Sequence, residues 1–391
     1  MLLSIALIIT LGLITGSICE KLNFPKLLGF LLIGLLIGPH VLNLLDPKIL
    51  NISNELRKIA LILILTRAGL GLNLDDLKKI GRPAFFLCFL PATFEILGVT
   101  LFGTLFMHLS LYEAALLGSV LAAVSPAVVV PRMVKLIDEN LGTKKRIPQM
   151  ILAGASVDDV YVLVVFTTFL SLLQGKDLDI LQFINIPISI VLGIFLGLLL
   201  GFLLSKGFNF FSVQRNYQIL ILLSLSFFLV SLEDSLTTTI TFSSLISIMF
   251  MGIGIKKKEE EPIAKNLSIH YNTLWSVAEI FLFVLVGAAV DISYANSIGW
   301  ISILCIGFAL VFRMAGVALC LIKTNFSIKE RFFIMLAYCP KATVQAAIGA
   351  IPLSAGLACG NIILTIAVVS ILLTAPLGAF MIDHTKNWLL K

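Results

Sequence analysis

The residues best suited to chemistry are two adjacent carboxylates, Asp158 and Asp159, inside an otherwise apolar stretch that begins at Ile147. Small residues (Ala153, Gly154, Ala155, Ser156) precede them and large apolar ones follow. A charged side chain at the centre of a bilayer costs about 2.5–3.5 kcal/mol on insertion scales, so such a pair needs a reason. Successive helical residues point about 100° apart, so one carboxylate can face a pathway while the other meets a neighbouring helix. Carboxylate oxygens suit a hard cation. Burial beside a like charge lets the same oxygens hold a proton. The pair can therefore hold either a cation or a proton.

Three further ionisable residues lie near the middle of apolar stretches: Glu95, Arg313 and Lys341. Opposite charges in lipid find each other, so Arg313 is expected to pair with Glu95 or with Asp158. Lys341 follows Pro340, where a cation would offset the negative ends of interrupted half-helices. Glu279 is another acid within an apolar stretch and suggests no specific role. Arg67 is expected to snorkel towards the interface, with Gly69 and Gly71 beside it permitting close helix packing. His40, His108, His270 and His384 lie at stretch ends or in loops and suggest no metal cluster. The six cysteines have neither a paired framework nor zinc spacing, and read as small apolar residues. No cofactor is implied.

The elements that position these groups follow from composition. Of 391 residues, 59% are hydrophobic and 13% are Asp, Glu, Lys or Arg, with a mean hydropathy of +1.07. A soluble domain would carry about twice that charged fraction. The net charge of +6 sits in short loops without a basic stripe interleaved with aromatics, so nucleic acid is not an expected partner. No nucleophile elbow or phosphate loop marks an enzyme. The first apolar stretch lacks a basic n-region and a clear cleavage site, and is read as a membrane helix. Thirteen spans are expected, at residues 2–18, 27–45, 58–73, 83–107, 111–134, 147–172, 184–205, 216–232, 237–255, 273–291, 299–322, 331–354 and 358–382. Arg132–Arg146 and Lys256–Pro262 read as charged boundaries, the second as a solvated linker. Twenty-one of the 28 Lys and Arg fall after odd-numbered spans or at the C-terminus, and four after even-numbered ones. That bias places the N-terminus outside and the C-terminus in the cytoplasm.

Prolines add the next constraint. The fifth span contains Pro126 and Pro131, and the twelfth contains Pro340 and Pro352. Proline removes a backbone donor and clashes with the preceding turn. The first proline of each pair adjoins a polar residue, Ser125 or Lys341. Both spans read as discontinuous helices whose free N–H and C=O ends serve an ion site at the midplane. They lie seven spans apart, an odd number, so they cross in opposite directions. That is the pattern of an inverted-topology repeat of spans 4–6 and 11–13. The expected fold is an all-α polytopic membrane protein with inverted repeats and two crossed discontinuous helices.

These residues carry a resemblance. The segments Arg67-Ala68-Gly69-Leu70-Gly71-Leu72, Val124 to Pro131, Asp158-Asp159 and Pro340-Lys341-Ala342-Thr343-Val344-Gln345-Ala346 are similar to those of the NHA branch of the monovalent cation/proton antiporter superfamily. The resemblance covers nearly the whole chain. It implies a homodimer whose protomers work by an elevator-like alternation. The core would be residues 83–172 and 299–382, and the scaffold 1–82 and 184–291. It implies that Asp159 binds Na⁺ with Asp158 as partner. Arg313 would be the basic residue facing them, with Ser125, Pro126, Pro340, Lys341 and Thr343 at the crossing. The chain departs from the wider superfamily at Ser125-Pro126, where many branches carry Asp-Pro. It also has Arg313 where electrogenic members tend to have lysine. Arginine keeps its proton, so electroneutral exchange is expected.

The function expected is exchange of Na⁺ (or Li⁺) for H⁺ across an inner-type cell membrane, in the service of pH homeostasis. Cation and proton would compete for the carboxylates. Glu95, Arg313 and Lys341 would compensate charge, and Ser125 would join the ion site. The alternatives are a sodium-coupled organic anion symporter, which would need more polar groups than Thr343 and Gln345, and a K⁺ efflux pathway, although the chain lacks a carbonyl-rich filter.

Overall fold

The computed structural model describes residues 1–22, 24–71, 81–175, 180–235, 242–256 and 261–390, and every regular element among them is helical. In chain order these are α1 (Leu2–Lys21), α2 (Lys26–Ile37), α3 (Pro47–Asn51), α4 (Ser53–Gly71), α5 (Arg82–Leu87), α6 (Leu90–Phe106), α7 (Leu111–Leu121), α8 (Pro126–Asp138), α9 (Ile147–Gln174), α10 (Ile180–Phe210), α11 (Arg215–Ser235), α12 (Ser244–Lys256), α13 (Glu261–Ala288), α14 (Ile292–Cys320), α15 (Ile328–Ala337), α16 (Thr343–Gly349), α17 (Ile351–Ser354) and α18 (Gly360–Leu389). Among the described residues, nine segments are long and apolar enough to cross a membrane. Three shorter apolar stretches, Lys26–Ile37, Ser244–Lys256 and Thr343–Ser354, accompany them.

Several expected boundaries move. The span placed at 27–45 ends as a helix at Ile37, because Gly38 and Pro39 turn the chain out. The span placed at 83–107 is two helices that meet at Cys88–Phe89, where Pro91 opens the second. The boundary expected to begin at Arg132 instead continues α8 to Asp138, with Pro131 tolerated inside the helix. Of the expected linker at Lys256–Pro262, Lys256 ends α12 and Pro262 lies in α13, while residues 257–260 lie outside the described residues.

The chain forms two compact units: residues 1–57, 73–173 and 280–391, and residues 58–72 and 174–279. In the second unit α10 lays Gly193, Gly197 and Gly201 directly on the backbone of α12. A Cβ on Gly193 would stand 2.8 Å from the Ser243 carbonyl oxygen. Small residues four apart are how membrane helices approach closely without a hydrophobic driving force. In the first unit both interrupted helices open with the same capping box. Ser110 and Glu113 exchange side-chain and backbone bonds at the start of α7, and Ser327 and Glu330 do so at the start of α15. Each box satisfies two helix-end donors, so the two halves of the unit share a start signal.

Candidate functional site

Both interruptions arise locally, at a proline. α7 stops at Leu121, and Pro126 opens α8 after four non-helical residues. α15 stops at Ala337, and α16 begins at Thr343, with Pro340 between them. The breaks meet: the Ser125 N–H donates to the Pro340 carbonyl at 2.8 Å. The Gln345 amide donates to the Leu121 and Ala123 carbonyls at 3.2 and 2.7 Å and accepts from the Ala342 N–H at 2.8 Å. The Lys341 N–H donates to the Thr374 hydroxyl at 2.9 Å. Unpaired backbone groups in a membrane interior cost several kcal/mol each, and these side chains remove that cost at the crossing.

Arg313 ties the breaks to the carboxylates. Its Nε donates to the Tyr338 carbonyl in one break and its Nη1 to the Ala122 carbonyl in the other. Nη1 also meets Glu95 Oε2 at 2.7 Å, and Nη2 meets Asp158 Oδ2 at 2.8 Å. The two pairings weighed for Arg313 from sequence therefore occur together. Lys341 Nζ lies 2.6 Å from the same Glu95 oxygen, a partner the sequence did not indicate. All four charged residues are at most 1% exposed. Two cations face two anions, which is what permits the burial.

Asp158 and Asp159 differ sharply. Asp158 is fully buried, held by Arg313 and by the Val124 N–H, which donates to Oδ2 at 3.0 Å. Asp159 is half-buried and makes no ion pair or hydrogen bond among the described residues. Five side-chain oxygens here are buried without a hydrogen-bond partner: Asp158 Oδ1, Asp159 Oδ1, Ser125 Oγ, Thr343 Oγ1 and Tyr338 Oη. Orphaned buried oxygens on carboxylate and hydroxyl groups are a hard-cation donor set. Tyr338 packs its hydroxyl against Gly154, one turn before Asp158, and its ring under the Arg313 guanidinium at 5.6 Å. Sequence reasoning missed Tyr338, Thr374 and the clamp role of Gln345. A buried amide three residues after a helix break was the available signal for Gln345. Arg67 is half-buried in α4 and within electrostatic reach of Glu279.

A family model described as "Sodium/hydrogen exchanger, transmembrane" matches residues 5–388. The chain belongs to the sodium/hydrogen exchanger family. Human sodium/hydrogen exchanger 9B1 is 32% identical over 396 residues, spanning 95% of this chain and 74% of the relative. Sodium/hydrogen exchanger 9B2 of Xenopus tropicalis is 35% identical over 358 residues, covering 87% of this chain and 64% of the relative, just under two thirds of its length. Among solved structures, the sodium proton antiporter MjNhaP1 of Methanocaldococcus jannaschii superposes with a TM-score of 0.84 at 23% identity, over 99% of this chain and 97% of that one. That likeness gives this member of the exchanger family the antiporter fold as an all-helical, multi-pass membrane protein.

Proposed function

We propose that the protein exchanges Na⁺ or Li⁺ for H⁺ by alternating access, with Asp159 as the carboxylate for which cation and proton compete. The observation that carries this reading is the asymmetry of the pair. Asp158 is neutralised by Arg313 at 2.8 Å, whereas Asp159 makes no ion pair or hydrogen bond among the described residues. Its charge is left for the transported ion to cancel. Asp158, Ser125 and Thr343 supply the further oxygens. The Arg313–Glu95–Lys341 assembly holds the crossing rigid and carries one net positive charge, which cancels the charge of Asp158, so that two cations balance two carboxylates. An unneutralised Asp159 would oppose passage through the hydrocarbon layer. The core, residues 83–172 and 299–382, therefore moves only when Asp159 carries a cation or a proton. Scaffold helices in 1–82 and 184–291 stay fixed in a homodimer. The positive-inside bias supports an N-out, C-in arrangement in a cell membrane.

The test is proton movement in vesicles containing the purified protein, read with a pH dye on adding Na⁺, Li⁺ or K⁺. Wild type responds to Na⁺ or Li⁺, and Asp159→Asn loses the response while still inserting. Proton movement that persists at the wild-type rate in well-folded Asp159→Asn would sink the assignment.

A further inference from the structure

One buried charge in the first unit is left uncompensated. Arg57, on α4, is 8% exposed. Its Nε and Nη1 are buried without a hydrogen-bond partner, and no ion pair reaches it among the described residues. The other buried cations of the unit, Arg313 and Lys341, have carboxylates within 2.8 Å. A guanidinium taken out of water without an anion is strongly penalised, so Arg57 is built to receive one.

Its surroundings on the helix fit that role. The first α4 amide to find a carbonyl is that of Leu56, which donates to Ile52 at 3.1 Å. The N–H groups before it are the open end of the helix, where anions are favoured. Helical side chains lean towards the N-terminus and cover the preceding turn, so Arg57 lies over Ser53 and Asn54. Both are half-buried, and neither side chain is hydrogen-bonded among the described residues. Glu55 is exposed and points roughly 160° away from Arg57 around the helix. Ile52 and Ile59 are 40% and 38% exposed. Arg57 stands about 6 Å along the helix from its first residue.

We propose that the first turn of α4, with Arg57, Ser53 and Asn54, binds a phosphate-type oxyanion. In the membrane this is the phosphodiester of a phospholipid headgroup, whose tetrahedral oxygens suit the guanidinium fork. Free inorganic phosphate shares that chemistry.

The experiment is thermal unfolding of the full chain in detergent and phosphate-free buffer. Three additives are titrated: inorganic phosphate, a phosphatidylglycerol, and a phosphate-free galactolipid with the same acyl chains. Wild type gains roughly 2–4 °C from the phospholipid, little from the galactolipid, and loses most of the gain as Arg57→Gln. A gain from inorganic phosphate alone, equally lost in Arg57→Gln, assigns the site to free phosphate. Should Arg57→Gln not fold, Arg57→Lys keeps the charge without the fork and shows a reduced gain. Equal gains in wild type and both variants, or no gain in wild type, overturn the proposal. Conversion of a dimer to a monomer by Arg57→Gln also overturns it, because Arg57 would then pair with a second copy.

Discussion

Arg313 shows how much one side chain can determine at the residue scale. Four bonds from one guanidinium reach Glu95, Asp158, Ala122 and Tyr338, so both helix breaks and both buried acids share a single organiser. Removing one partner of a buried pair costs about 3–5 kcal/mol because the other charge is stranded. Arg313→Leu strands Asp158, and Glu95 keeps only Lys341. A fall in unfolding temperature with loss of Na⁺-driven proton movement is expected. Arg313→Lys is expected to recover part of the stability but not the geometry, because an ammonium lacks the planar fork that spans four acceptors. Unfolding scans of the two variants against wild type check this. An unchanged unfolding temperature in Arg313→Leu would remove Arg313 from its organising role. Glu95, Asp158 and Arg313 were legible in the sequence because charge inside an apolar stretch has few cheap explanations. Tyr338 and Gln345 were not, because an uncharged polar residue near a helix end is common for many reasons.

At the scale of the element, the broken helices are specified twice. Proline prevents continuous pairing, and the matching capping boxes at Ser110 and Ser327 set where each helix begins. Losing an N-cap hydroxyl typically costs about 1 kcal/mol. Ser110→Ala and Ser327→Ala should each lower stability by that amount and leave exchange largely intact, as urea or thermal titrations with parallel vesicle assays would show. The second break also depends on α18: Gly378 packs directly against the Pro340 ring, where a Cβ would overlap it. Gly378→Val should therefore displace Pro340 and its bond to Ser125. The expected outcome is a protein that inserts and retains its helices by circular dichroism but exchanges at least tenfold more slowly. Wild-type exchange in Gly378→Val would mean that the crossing tolerates movement. The prolines announced both interruptions in the sequence. The 83–107 span split unannounced at Cys88–Phe89, and Pro131 failed to break α8, because surrounding helices decide whether a freed carbonyl finds a partner.

For the molecule as a whole, surface ion pairs tie together the ends of the elements that carry the site. Arg132 meets Asp383 at 3.1 Å, Lys145 meets Glu330 at 2.7 Å and Lys386 meets Glu139 at 2.5 Å. The Lys386 hydrogen bond holds the Glu139 carboxyl below its ordinary value of 4.5. A carboxylate depressed in the folded state contributes stability above its unfolded value and loses it as pH falls through the folded value. The unfolding temperatures of wild type and Glu139→Gln should therefore differ slightly at neutral pH and converge as pH falls through the depressed folded value, below 4.5. A difference that does not shrink as the pH is lowered would rule out this ion pair as its source. Composition and loop charge alone determined that the bilayer is the solvent, because burying so many apolar residues in water would leave too little polar surface. Charge inside apolar stretches and paired prolines alone singled out Glu95, Asp158, Arg313, Lys341, Pro126 and Pro340, which the fold brings together at the crossing. Only the tertiary structure decided the pairing. Arg313 serves Glu95 and Asp158 at once, and Lys341 joins Glu95 from a helix break more than two hundred residues away in sequence. Which of two adjacent aspartates is neutralised depends on where a neighbouring helix places its cation, and no spacing along one chain segment encodes that.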